Sequence, residues 1–405
     1  MSSIKGELHS RIIRRKIHDD KYGIVGVEIK NRRKIKSQTL EALSLNVCSK
    51  SYLCKIEKNK IDPNKAFLRE ICSRLELSDD KVDFLFDLRD VVIQTIKAFI
   101  VDDENYIAYA VEHGRGFKNY RYTIIKFIHY LSIKDLSAAS RIHRELLKII
   151  TNMSDFDLNI FALFSSILSL YKFEFKNALD DIEYMDVYGM DNNIEVLKKI
   201  VDFEIRYAMN TYDAPMYYME LKRILFDIGY YPLINKMEYL LGIFFIRNSC
   251  DYSLEALMDK MSDKKLYESL KCFNAFMNND VVTLADCNDS YLNEFALAIK
   301  KIVMQDEKAI MYVKANKRDY YRLDYDQEFL DYLLLENASR RYDFIINDGI
   351  PKASSRGDGF LEKFYIYELT RMPKICRNRS LFRAHRMVNT FKVEIGDYDE
   401  ERYEE

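Results

Sequence analysis

A chain of 405 residues is too long for one ordinary hydrophobic core, so two or three packed units are expected. Its 12 Gly and 5 Pro, against 48% hydrophobic residues, leave too few turn signals for an all-β fold and favour an all-α one. The net charge of −2 hides an asymmetry: residues 1–75 carry 18 Lys and Arg against 8 Asp and Glu, and the remainder 44 against 56, as expected if a phosphate-binding module is joined to a body that stays off the polyanion.

Residues 1–22 hold Arg11, Arg14, Arg15 and Lys16, with Ile4, Leu8 and Ile12 at helical spacing. They read as a basic arm or short helix, either laid along a phosphate backbone or simply solvated. A helix is expected over Ile24–Ile35. From Thr39 to Lys60 the pattern gives two short helices and a tight turn. Thr39 caps the first, which carries Leu40, Leu43 and Ser44 at helical spacing, and the turn is Asn46–Val47–Cys48. Ser49 caps the second, leaving Lys50, Ser51 and Tyr52 on its exposed first turn and Leu53 and Ile56 on its buried side. A recognition helix needs this division: short polar side chains reach base edges while apolar residues further along hold the helix in place. The candidate DNA-contacting residues are therefore Thr39, Ser49, Lys50, Ser51 and Tyr52, with Lys55, Lys58 and Lys60 directed at phosphates. Pro63 is expected to open the next helix, striped by Phe67, Leu68, Ile71, Cys72 and Leu75, and Ser78 to cap another through Asp79 and Asp80.

These residues resemble the Cro/CI-type (XRE) helix-turn-helix domain, and within it the Rgg/PlcR/NprR group of peptide-pheromone receptors. The likeness rests on Ile29 and Arg33, on Thr39, Leu43 and Ser44, on Val47–Ser51, on Lys55–Lys60, and on Pro63, Leu68, Ile71 and Leu75, about the first fifth of the chain. It implies a five-helix DNA-binding domain over residues 23–78 and a structural pair between Arg33 and Glu57. It also implies a helical-repeat body that dimerises and binds a short signalling peptide. Two positions depart from the pattern. Leu40 stands where a phosphate-touching Gln is usual, and Arg32 where an apolar residue is usual, its stem free to snorkel along the core.

Val82–Val101 reads as one long connecting helix within residues 79–101. Beyond it, residues 102–393 read as helical hairpins, each restarting after a polar turn near Ala139, Ala178, Ala214, Leu254 and Ala285. The spacing is that of a degenerate tetratricopeptide-type (TPR-like) α-solenoid, whose stacked pairs present a concave surface. Polar residues in first helices, Arg206, Asn235 and Asn274, are the candidate peptide-binding groups. Recurrent Asn-to-Asp turns, at Asn210/Asp213, Asn248/Asp251 and Asn278/Asp280, read as helix caps before they read as peptide-binding amides. Asn347–Pro351 and Ser354–Gly359 mark a loop before a last helix over Phe360–Arg371. Residues 394–405 form an acidic tail, solvated or DNA-mimicking.

Thirty Tyr and 24 Phe are packing and groove material rather than a cofactor site. The six histidines include no H-E-x-x-H, His113–Gly116 lacks the Lys-Ser/Thr ending of a phosphate loop, and no G-x-S-x-G occurs. Seven cysteines with no C-x-x-C spacing argue against zinc and against a disulfide framework. The run Ile160–Tyr171 is too short to cross a bilayer, and no signal peptide is visible. The expectation is a cytoplasmic homodimer that binds double-stranded DNA and a signalling peptide, with no catalysis, cofactor, metal or membrane. The competing readings of the repeats are a repressor that binds another protein or only dimerises, and an undetected enzyme.

Overall fold

The computed structural model describes residues 23–58, 60–61, 64–78, 83–84, 87–117, 119–150, 153–183, 185, 190–261, 263–304, 327–335 and 337–371. The basic arm, Pro63, the acidic pair after Ser78 and the acidic tail lie outside them. Among the described residues the structure is helical throughout, with no strand. No helix there is long and apolar enough to cross a membrane. The chain forms two compact units, Met1–Ile205 and Arg206–Glu405.

The first unit opens with α1 (Gly23–Ile35), α2 (Leu40–Ser44), α3 (Lys50–Glu57) and α4 (Lys65–Arg74). Their starts are set by side-chain caps: Thr39 accepts from Ala42 N, Ser49 from Tyr52 N, and Asn64 from Ala66 N. Asn64 is thus the cap of the helix expected to open at Pro63. Helix α3 packs on α1 and α2, and α2 on α4. The core they share is Ile29, Leu43, Leu53, Ile56, Leu68, Ile71, Cys72 and Leu75, each at most 1% exposed, which matches the stripes read from the sequence. Asn46, in the turn between α2 and α3, takes φ +59°, a region asparagine tolerates better than most residues.

The helix expected over Val82–Val101 is shorter. Helix α5 runs Leu88–Ile100 after a turn at Asp87, and it packs on α6 (Glu104–His113) and α7 (Tyr120–Ser132). Next come α8 (Leu136–Leu147), α9 (Asp155–Tyr171), α10 (Phe175–Glu183) and α11 (Asn192–Ala208). In the second unit follow α12 (Ala214–Asp227), α13 (Tyr231–Arg247), α14 (Asp251–Met258), α15 (Lys264–Met277), α16 (Val281–Asp286) and α17 (Glu294–Val303). First helices of successive pairs pack on one another, α7 on α9 and α13 on α15, which is the stacking a helical-hairpin repeat requires.

The hairpins share one turn geometry. Asp102, Lys134, Phe173, Asn210, Ser249 and Asn279 all have φ between 53° and 60°. At each, the amide of the next residue bonds back five positions, as from Asp135 N to Tyr130 O, Glu174 N to Ser169 O and Cys250 N to Phe245 O. This is the Schellman closure, here made without glycine at any of the six. Ala139 and Ala178 are fully buried where second helices cross first ones, and Ser166 Oγ donates to Ala178 O at 2.7 Å across α9 and α10. In the sixth hairpin the buried residue is Leu284, 1% exposed, one residue earlier than the spacing predicts, and Ala285 is on the surface.

The Gly- and Pro-containing stretch expected as a loop is mostly helical. A π-helical turn, Ile345–Gly349, leads from α19 (Ala338–Phe344) into α20 (Ile350–Arg356), and only Gly357 and Asp358 interrupt before α21 (Gly359–Arg371). Pro351 sits in the first turn of α20, where a missing amide is tolerated, and the π turn accommodates the register change before it. Gly357, at φ +82°, closes α20. Helix α18 (Gln327–Leu333) precedes α19 and packs on α17.

Candidate nucleic-acid interface

Helix α3 is held from below and bare above. Its buried side is Leu53, Ile56 and Glu57, with Arg33 of α1 gripping Glu57: Arg33 Nε to Oε1 at 2.6 Å and Nη2 to Oε2 at 2.8 Å. Arg33 Nη1 also donates to Gln38 O at 2.9 Å, tying the α1–α2 turn to the same guanidinium. The Glu57 hydrogen bonds raise the Arg33 pKa above its ordinary value. This is the pair that the family resemblance implied. An ammonium cannot reproduce the fork. Arg33→Lys is therefore expected to lose about 1.5–3 kcal/mol of stability. Urea unfolding of the full chain measures it, and an unchanged midpoint would show the fork to be dispensable.

On the bare side, Ser49, Lys50 and Ser51 are exposed at the start of α3, and Thr39 is exposed at the start of α2. Thr39 Oγ1 accepts from Ala42 N at 3.1 Å and Ser49 Oγ from Tyr52 N at 3.2 Å. Each hydroxyl keeps its proton to donate elsewhere. Lys55, Lys58 and Lys60 are exposed and have no ion pair among the described residues. Tyr52 differs from its neighbours: it is half-buried, its ring edge-to-face with Phe67 of α4 at 5.3 Å and 81°. That contact makes it partly a packing residue.

Three features of this face were not read from the sequence. Lys50 Nζ is ion-paired with Glu41 of α2. Arg74 of α4 donates through Nη1 to the carbonyls of Leu43 and Leu45, which closes the end of α2 and fixes the turn before α3. Phe67 supports Tyr52. A nine-residue separation of opposite charges across a predicted turn was the only available signal for the first; the other two join residues 15 to 31 positions apart.

Arg32, the residue expected to snorkel, instead pairs inward. Its Nε donates to Glu28 Oε1 at 2.9 Å, with Glu28 only 2% exposed, and its guanidinium lies 5.5 Å from the Phe117 ring. Phe117 stacks on Phe84 at 5.9 Å and 6°. Arg32 thus joins the DNA-type module to the turn between α6 and α7.

The three candidate peptide-binding residues have separate surroundings. Arg206 Nη1 holds Asp213 Oδ2 at 2.7 Å and its guanidinium lies over Tyr217 at 4.0 Å. Asn274 Oδ1 accepts from Asn278 Nδ2 at 3.1 Å. The Asn235 side chain is half-buried and makes no hydrogen bond among the described residues. The Asn-to-Asp turns are caps in part. Asn248 and Asn278 are C-caps and Asp280 accepts from Thr283 N, whereas Asp251 lies inside α14 and Asp213 makes no side-chain cap bond. Asn210 and Asn248 exchange amide hydrogen bonds of 3.1 and 2.8 Å, linking successive turns. No cluster of His, Cys, Asp or Glu suited to a metal ion occurs among the described residues.

Fold and site together define an all-α chain with an N-terminal helix-turn-helix module followed by helical hairpins. No family model matches the chain, and neither does any curated protein. Among solved structures it is similar to the crystal structure of Bacillus thuringiensis PlcR in complex with the peptide PapR7 and DNA. The identity is 14% and the TM-score 0.36, over 65% of this chain and 99% of that one.

Proposed function

We propose that the chain is a sequence-specific DNA-binding transcriptional regulator whose helical hairpins bind a short signalling peptide and thereby control DNA binding. One observation carries the DNA half: the exposed first turn of α3, with Ser49, Lys50 and Ser51 outward, on a helix anchored by Leu53, Ile56 and the Arg33–Glu57 fork. The peptide half rests on the residues resembling the Rgg/PlcR/NprR group and on the stacked hairpins. In this reading residues 23–78 contact DNA, residues 102–393 dimerise and receive the peptide, and the protein works in the cytoplasm as a homodimer. A peptide that moves the dimer from 1:99 to 99:1 between two arrangements needs about 5.5 kcal/mol of differential affinity.

A second reading, a repressor whose repeats bind another protein or only dimerise, is favoured by one observation: Arg206 and Asn274 are already engaged within their own hairpins. Selection from a random duplex pool tests the DNA reading. A preferred site should emerge, and Lys50→Ala with Ser51→Ala should change it. Lys58→Ala should instead weaken all sequences alike and flatten the salt slope by about one unit. No sequence preference in the wild type, or the same site after both substitutions, would refute the assigned face. Short synthetic peptides that shift the affinity for the selected site separate the receptor from the simple repressor.

A further inference from the structure

We propose that Glu41 and Lys50 form one reading unit for a G·C base pair, with Glu41 as its specificity-determining member; this rests on the DNA-binding reading above. Among the described residues, Lys50 is the one exposed lysine of α3 and its C-terminal flank that is ion-paired, and its partner is a carboxylate of the preceding helix. The side chains of Lys50 and Glu41 are 57% and 67% exposed. A pair so open contributes little to stability. A carboxylate at the DNA-facing edge also repels phosphate. Its presence there has a use if the pair meets a base edge together.

The chemistry of the two groups selects that edge. An ammonium only donates and an ionised carboxylate only accepts. Across the major groove a G·C pair presents two adjacent acceptors, N7 and O6 of guanine, and then the N4 donor of cytosine. An A·T pair presents acceptor, donor and acceptor in turn, so an ammonium with a carboxylate beside it engages one acceptor instead of two. The Lys50–Glu41 couple therefore matches G·C. Glu41 also withholds the Lys50 charge from phosphates, which lowers affinity for duplexes of any sequence. Lys50 is the first residue of α3 and Glu41 the second of α2, so the Arg74 clamp on the end of α2 and the Ser49 cap set their separation.

The test compares full-length wild type, Glu41→Gln, Lys50→Ala and the double variant on the selected duplex, on the same duplex with each G·C pair changed in turn to A·T, and on random duplex. For wild type, one G·C to A·T change should cost about tenfold in affinity, within the range of a single good base contact. Glu41→Gln should bind random duplex more tightly, steepen the salt slope by about one unit as Lys50 reaches a phosphate, and shrink that tenfold ratio. The double variant should lose no more of the ratio than Lys50→Ala. Thermal melting of Glu41→Gln should match wild type. An unchanged ratio and salt slope in Glu41→Gln, or a required A·T pair at the Lys50-dependent position, would overturn the inference while leaving DNA binding in place. A wild type with no sequence preference would overturn both.

Discussion

Asp157→Ala is expected to cost the first unit about 3–5 kcal/mol, because it leaves the Arg121 guanidinium buried without its principal counter-charge. The Asp157 side chain is 0% and that of Arg121 4% exposed. Arg121 Nε donates to both carboxylate oxygens at 2.8 and 3.0 Å, Tyr120 Oη to Oδ2 at 2.8 Å and Ser154 Oγ to Oδ2 at 2.6 Å. Burial, with the carboxylate second, holds the Tyr120 phenol well above its ordinary range, so it remains a donor. The network sits where the starts of α7 and α9 meet, and Ser154 is also the cap of α9. Asp157→Asn keeps the shape and one acceptor and should cost less. Arg121→Met with Asp157→Leu should cost far less than the two losses added, since both desolvation penalties disappear together. Urea unfolding of the full chain followed by circular dichroism reads all of these, and a loss under about 1 kcal/mol for Asp157→Ala would show the network to be marginal.

Local rules made the DNA-type module legible and left the network above invisible. Caps at Thr39 and Ser49 and the stripe from Leu68 to Leu75 depend on residues three or four positions apart, and the structure has them where that spacing predicts. The Arg33–Glu57 fork, 24 residues apart, came from family resemblance and not from spacing. Arg121 and Asp157 are separated by 36 residues and look like ordinary helix-terminal charges in sequence. Hairpin turns were found through their polar residues, yet their left-handed positions fall on Lys134 and Phe173 as well as Asn210, so composition could not locate them to the residue. The same limit explains the one-residue error at Leu284. In the stretch from Asn347 to Pro351, turn-forming residues suggested a loop. Packing of the π turn on α20 and α21 overrode that preference, with Ile345, Ile346 and Ile350 all buried.

Two buried groups unused by the proposed function should bracket the pH range of the first unit, and Asp181→Asn is the more informative substitution. Asp181 of α10 is 2% exposed, and its Oδ1 has no hydrogen-bond partner. Burial foremost, then the like charges of Asp180 and Glu174, push its pKa up to about 8 against a hydrogen bond from Ser169 that lowers it. The native state then holds a proton that the unfolded chain releases near pH 4. Stability from this group is full below the unfolded pKa and is lost as pH rises toward 8. His143 of α8 acts on the other limb. It lies against Phe161 at 5.2 Å and Phe127 at 5.9 Å, neither ring nitrogen has a hydrogen-bond partner, and burial foremost, with Lys172 second, lowers its pKa to about 4. Its contribution is full above the unfolded pKa near 6.5 and is lost as pH falls toward 4. Each pKa unit corresponds to about 1.4 kcal/mol, so Asp181→Asn should stabilise the unit by a few kcal/mol at pH 8 and by little at pH 4. His143→Phe should flatten the acid limb alone. Urea midpoints of wild type and each variant from pH 4 to 9 measure this. Parallel curves for wild type and Asp181→Asn would mean that the carboxyl finds a partner or water in solution and titrates normally.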